Sequence, residues 1–541
     1  MKNNRNLFFY LLPLTFAVCI VIGIYLGAYL SKSSTEKTKI FPSSIRFNTA
    51  NKLNEILNFV EDTYVDSVDK EAITESSIAT ILSKLDPHSY YIPATDFNGM
   101  NDPLEGNFEG IGIEFRIIED TVMVISAIPN GPSEKLGIEA GDRIVKVDTS
   151  EIAGNGITNE NVIKLLKGPK GTKVKVTIIR KGIKKKLTFD IVRDEIPIFS
   201  IDAPYLINES TGYIRITRFA KTTYNEFLEA TKNLKEDGME NLIIDLRGNG
   251  GGVLFAATDI ADELLMKNKM IVYTEGRVRN KKEYFSTKKG ILKHIKVSIL
   301  INENSASASE ILAGAIQDND RGTIIGRRSF GKGLVQEQVM WPDGSALRLT
   351  VARYYTPTGR CIQKPYTDDM ESYNMESYNR YLNGELLSSD SIHFPDSLKY
   401  FTPEGKIVYG GGGIMPDIFV PLDTAGNTPY FYEMRYRGIL QSFSLNYVDN
   451  QRHKLKEKYK DALTFKEKFK VDDNLFNSVI KYAEANELPR NLKEIHESKK
   501  LIIESLKGFI SKDLWGNFGY YVIVNENDKT IQKAISEFNK K

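Results

Sequence analysis

The chain has 541 residues, 41% of them hydrophobic and 26% charged, which is ordinary for folded protein and too long for one compact core. A formal net charge of +2 gives no electrostatic reason to expect a nucleic-acid partner. The two cysteines, Cys19 and Cys361, do not make a disulfide framework. From Leu7 to Leu30 the sequence carries no charge. Such a run is long enough to span a bilayer and exceeds the apolar region of a cleaved signal peptide, and no clear A-x-A site follows it. Residues 1–30 are therefore expected to be a cytoplasmic N-terminus and an uncleaved transmembrane signal anchor. Basic residues on the two sides hardly bias its orientation. A short basic N-terminus before a long soluble body favours a single-pass protein with its body on the exported side. Residues 31–105 read as a linker and a helical region. There Leu53, Ile56, Leu57, Val60, Ile73, Ile78, Ile81 and Leu82 recur at helical spacing until Pro87 and Pro93 interrupt.

Residues 106–192 are rich in glycine and strand patterns. Thr121 to Asp148 predicts strand, turn, short helix, turn and strand; NVIKLLKG predicts an amphipathic helix, and a hairpin turning at Lys181-Gly182 follows. This order resembles a PDZ domain, with Gly110, Ile111, Gly112 and Ile113 as the loop that holds a terminal carboxylate through backbone N–H groups. From about Thr211 strands alternate with helices, which predicts βαβ units and a largely parallel sheet in a core spanning 193–428. Polar residues 364–410, with the near-repeat MESYN-MESYN, read as a surface insertion. Residues 429–541 are mostly helical in pattern, end in a candidate strand YYVIV, and suggest no chemistry.

Open parallel sheets place ligands outside the carboxyl ends of their strands. Three loops there carry unusual residues: GNGGG (Gly248 to Gly252), NENSASASE (Asn302 to Glu310) and RRSFGKG (Arg327 to Gly333). A serine at a helix entry sits where unpaired N–H groups favour developing negative charge. Ser307 to Glu310 also fits an S-x-x-E capping box, and local sequence favours that explanation. The glycine loop adds backbone N–H groups suited to an oxyanion hole; it does not fit the P-loop pattern. None of the five histidines looks like a base for such a serine. Lys332, between two glycines, could act as base if burial lowers its pKa.

VSILINENSASASEILAGAIQD, GTIIGRRSFGKGLVQEQ, IIDLRGNGGG, LDPHSYYIP and VYGGGGIMPDI, with the PDZ-like module, resemble the C-terminal processing (tail-specific) serine peptidases over roughly residues 50 to 425. The resemblance implies a crotonase/ClpP-like α/β serine peptidase core in a multidomain chain, with a helical segment before it and a C-terminal extension after it. It implies Ser307 as nucleophile and Lys332 as general base, a spacing that Ser305 or Ser309 would break. Gln336 matches the residue that orients the lysine, and Glu310 a supporting carboxylate. The N–H groups of Ala308 and of Gly251 or Gly252 match the oxyanion hole. No metal or cofactor is implied. Expected partners are protein substrates with apolar C-terminal tails, the membrane through residues 7–30, and a homo-oligomer or adaptor. A non-catalytic PDZ-containing tail-binding scaffold and another serine acyl hydrolase remain open alternatives.

Overall fold

The computed structural model describes residues 17–18, 20–23, 25–26, 51–366 and 370–540. The expected anchor over residues 7–30 lies mostly outside them. Among the described residues no helix is long and apolar enough to cross a membrane. The chain divides into two compact units, Met1–Ser77 and Ile78–Lys541. The first contains the helix Lys52–Thr63, whose Leu53, Ile56 and Phe59 are exposed.

In the second unit, β1 (Tyr90–Ile92) leads to β2 (Asn107–Gly110) and a six-stranded antiparallel sheet of β3 (Ile113–Ile118), β4 (Thr121–Ala127), β5 (Arg143–Val147), β6 (Ser150–Glu151), β7 (Lys173–Ile179) and β8 (Leu187–Val192). In β7 buried Val174, Val176 and Ile178 alternate with more exposed residues, the pattern of a sheet with one wet face. The helix Asn159–Leu166, capped by the Thr158 side chain, adds Val162 and Leu166 to this core. β3 is an edge strand. β2 pairs with β9 (Asp194–Pro197), so the module enters and leaves through adjoining antiparallel strands.

Apart from the hairpin of β19 (Lys399–Phe401) and β20 (Ile407–Tyr409), the remaining strands build two sheets. β10 (Ile201–Leu206), β11 (Thr211–Ile216), β12 (Asn241–Asp245), β15 (Lys296–Ile301), β16 (Thr323–Gly326) and β21 (Ile418–Phe419) lie in the order β10-β11-β12-β15-β16-β21, with β13 (Met270–Glu275), β14 (Lys282–Phe285), β17 (Leu334–Met340) and β18 (Ala346–Tyr355) in the other sheet. In the first of these sheets every pair is parallel except the antiparallel β10–β11, and the pairs of the second sheet are antiparallel. Leu242, Ile243 and Ile244 are fully buried because helices cover both faces, which explains the unbroken apolar runs. β1 joins β18 in the second sheet, so LDPHSYYIP belongs structurally to the peptidase-like core rather than to a separate helical domain.

YYVIV is helical, in Leu492–Val524, instead of a strand. Its β-branched residues favour strand locally, but Ile523 packs into the C-terminal helical core while Val522 packs against the parallel sheet. The helix breaks at Trp515 and Gly516, where Gly516 takes φ 67°. Beyond the break, Val522, Ile531, Ala534 and Phe538 cover Tyr213, Ile243, Leu300 and Ile325. The last helix, Lys529–Phe538, thus completes one face of the core.

Candidate active site

The three unusual loops leave the carboxyl ends of three neighbouring parallel strands, β12, β15 and β16. Ser307 stands immediately before the buried helix Ala308–Asp318 with φ 55° and ψ −113°, a strained conformation for a residue with a Cβ. Its N–H donates to Glu310 Oε2 at 2.8 Å. Its carbonyl accepts from Glu310 N at 2.8 Å, Ile311 N at 3.0 Å and the Tyr354 hydroxyl at 3.1 Å. Gly251 approaches so closely that a Cβ there would stand 2.7 Å from Ser307 Cβ and from Ala306 O. Glycine is required by that contact and by its φ of 99°.

The other two serines of the cluster have structural bonds. Ser305 Oγ donates to Leu246 O at 2.8 Å and Ser309 Oγ to Asn249 O at 2.9 Å, fastening the serine loop to the end of β12 and the glycine loop. Asn249 extends this bracing: Nδ2 donates to Ile216 O at 2.9 Å and Oδ1 accepts from Gly251 N at 2.8 Å. Gly251 N–H is therefore occupied, whereas the N–H groups of Gly252 and Ala308 meet no acceptor among the described residues. Of the two glycines expected to compete as oxyanion donors, Gly252 is the one left available in this conformation.

Glu310 does more than cap. Its fully buried carboxylate accepts from Ser307 N at 2.8 Å and Lys332 N at 2.9 Å on one oxygen, and from Ser329 Oγ at 2.5 Å and Gly331 N at 2.7 Å on the other. Burial raises its pKa, and these four bonds oppose the shift. Lys332 Nζ donates to Gln336 Oε1 at 3.0 Å. Gln336 Nε2 in turn donates to the His88 carbonyl, which fixes the amide so that its oxygen faces the lysine. Burial lowers the Lys332 pKa, aided by Arg348 and opposed by Asp86 and Glu310. Among the described residues no hydrogen bond joins Ser307 Oγ to Lys332 Nζ.

The polar segment read as a surface insertion reaches this site. Arg380, 2% exposed, donates to Ser329 O at 2.7 Å and Phe330 O at 3.2 Å. The Tyr373 hydroxyl pairs with His88 Nε2 at 2.7 Å. Their sequence context, MESYN repeats in polar surroundings, carries no hint of burial. Arg247, just before the glycine loop, pairs with buried Asp245 at 2.7 Å and with Asp528 of the C-terminal extension at 2.8 Å.

In the antiparallel module Gly110 ends β2 and Ile113 begins edge strand β3. Ile111 O accepts from Ser133 N and Oγ, at 3.2 and 2.6 Å, while the N–H groups of Ile111 and Gly112 meet no acceptor among the described residues. Elsewhere on the module Asp449 accepts from Arg143 at 3.1 Å, and Lys181 donates to Asn450 at 2.5 Å. Helix Ile439–Lys458 thus contacts strand β5 and the loop after β7.

Family comparison matches residues 210–372 to peptidase family S41, 110–191 to the PDZ domain and 430–516 to a family of unknown function. A carboxy-terminal-processing protease of Bartonella bacilliformis is 38% identical over 351 residues, covering 63% of this chain and 80% of that protein. The carboxy-terminal processing protease CtpB of Bacillus subtilis is 35% identical over 353 residues, covering 63% and 72%. Among solved structures, a photosystem II D1 C-terminal processing protease aligns at 26% identity over 68% of this chain and 86% of that one, with a TM-score of 0.35.

Proposed function

The chain belongs to peptidase family S41, among the carboxy-terminal processing proteases, and is a serine-type peptidase with a PDZ domain; from that premise we propose that Ser307 is its nucleophile and Lys332 its general base. The observation that carries this reading is the single oxygen of Glu310 that accepts from the backbone N–H of both residues. It ties a strained serine at a helix entry to a half-buried lysine.

Neutral Lys332 has two N–H bonds and one lone pair. Gln336 Oε1 accepts one N–H, which helps turn the lone pair toward the serine. As Ser307 Oγ attacks the scissile carbonyl, its proton passes to Lys332 Nζ and the carbonyl oxygen becomes an oxyanion. The N–H groups of Gly252 and Ala308 stabilise that charge; one such donor is worth about 2.7–4 kcal/mol in the transition state. The Lys332 ammonium then protonates the leaving amine as the C–N bond breaks. Water, deprotonated by the same lysine, releases the acyl group. Because the base must be neutral, turnover rises with pH through the Lys332 pKa, which burial holds below the usual lysine value. The missing Ser307–Lys332 hydrogen bond fits an enzyme at rest, since catalytic bonds tighten when substrate arrives.

Edge strand β3 and the N–H groups of Ile111 and Gly112, unpartnered among the described residues, support a PDZ role: an apolar C-terminal tail adds as a strand with its carboxylate in the loop. The charge-free N-terminal run supports a membrane-anchored body acting on exported proteins. Amphipathic helix Lys52–Thr63, with its exposed apolar residues, is a candidate surface for assembly.

The test is proteolysis by the full chain in detergent, offered an unfolded protein with an apolar tail and the same protein with a charged tail. Wild type degrades the apolar-tailed substrate faster, and Ser307→Ala and Lys332→Ala degrade neither. Undiminished cleavage by either variant would remove that residue from the mechanism.

A further inference from the structure

We propose that Tyr354 is a positioning residue for the reaction, its hydroxyl holding the Lys332 peptide in register with the Ser307 peptide. This rests on the Ser307 and Lys332 roles given above. Tyr354 lies on β18, is 1% exposed, and places its hydroxyl 2.8 Å from Lys332 O and 3.1 Å from Ser307 O. A phenol has one proton to give. Ser307 O already accepts two backbone N–H groups, whereas Lys332 O has no other donor among the described residues. The proton therefore serves chiefly Lys332 O, with Ser307 O as the secondary partner. Burial pushes the phenol pKa well above its ordinary value, so it stays a donor.

The arrangement mirrors what Glu310 does. The carboxylate takes the N–H groups of Ser307 and Lys332, and the phenol meets the carbonyls of the same two residues. Lys332 sits between Gly331 and Gly333, residues that impose little order of their own. Pins from outside must replace what a bulkier sequence would supply. Gly333 is held by Gln363 Oε1 on its N–H, at 2.8 Å, and by Tyr354 N–H on its carbonyl, at 3.0 Å. Tyr354 thus grips the lysine loop at two consecutive carbonyls and, among the described residues, alone adds a side-chain link to the serine carbonyl. Without the hydroxyl, the Lys332 carbonyl loses its donor and the Lys332 peptide is held only through its N–H, by Glu310.

The experiment compares full-chain wild type, Tyr354→Phe and Tyr355→Phe on a fluorogenic peptide with an apolar C-terminal tail, together with Ser307→Ala and Lys332→Ala. Tyr355 stacks on Tyr273 and its hydroxyl serves neither peptide, so it is the control. kcat, KM and the pH dependence of kcat are read for each at reduced temperature, so that a less stable variant stays folded, and thermal melting is recorded separately. The expected result for Tyr354→Phe is kcat lower by about ten- to a hundredfold with KM unchanged. Its rising pH limb should move to higher pH, because a looser loop admits water and restores the lysine pKa. Tyr355→Phe should match wild type. The proposal is overturned if Tyr354→Phe keeps wild-type kcat and pH limb per folded enzyme, even with a lower melting temperature. Activity surviving in Ser307→Ala or Lys332→Ala would instead overturn the dyad itself, whatever Tyr354→Phe does.

Discussion

Replacing Glu310 by glutamine keeps shape and removes one acceptor atom, so the cost can be worked from the four donors around it. The best orientation leaves the amide oxygen facing Ser307 N and Lys332 N and turns the new NH₂ toward Ser329, whose hydroxyl can rotate to accept. Gly331 N–H then has no acceptor, and Ser329 Oγ, which already accepts from Ile414 N–H, must turn its own proton away from the site; the first loss alone is about 1–3 kcal/mol. The two bonds kept by the oxygen also lose their charge assistance, about 1 kcal/mol each. Relief from burying a carboxylate offsets part of this. A net local destabilisation of about 2–4 kcal/mol follows. In a multidomain chain it is best read locally, by hydrogen exchange of the amides of residues 307, 331 and 332. Their protection should fall by about 30- to 1,000-fold, with a loss of proteolysis, while amides of the PDZ sheet stay unchanged. Unaltered protection at all three amides would refute the claim that Glu310 binds the serine and lysine loops together.

Burial, with help from Lys332, lowers the His88 pKa from 6.5 to about 4. The unfolded chain therefore binds a proton that the folded chain refuses as pH falls from 6.5 to 4. Stability is complete above that window and declines through it by at most about 3 kcal/mol. His88→Gln should flatten the dependence in acid melting curves of the core; an equally steep curve would contradict the assignment. Asp449 links the PDZ module to the segment matching a family of unknown function, yet its partner Arg143 is one-third exposed. A double-mutant cycle with Asp449→Ala and Arg143→Ala should give a coupling of about 1 kcal/mol or less. A value several times larger would mean that the contact is a principal anchor.

The parts of the site written in local pattern were legible in the sequence. Apolar runs followed by Gly-rich or Ser-rich loops located the strand ends, and GIGI followed by PSEKLGIEAGDRIVKVD located the PDZ module. The choice of Ser307 over Ser305 and Ser309 came from the family's spacing to Lys332; the structure adds that both rejected serines are tied to backbone carbonyls. What could not be read was set by contacts between distant segments. Glu310 showed only its capping half, because its other donors come from residues 329 to 332. Tyr354 reads as one aromatic in a strand, and nothing in its neighbours announces two carbonyls at its hydroxyl. The His88 contribution is largely its carbonyl, which any residue carries. YYVIV misled because tertiary packing on two cores outweighed local strand preference.

The most direct measurement is to quench turnover of an apolar-tailed peptide with acid and map the acyl group on the enzyme by mass spectrometry. The expected result is an ester on Ser307 that disappears in Lys332→Ala. An acyl group on Ser305, Ser309 or any other residue, or the same Ser307 ester formed at full rate without Lys332, would contradict it.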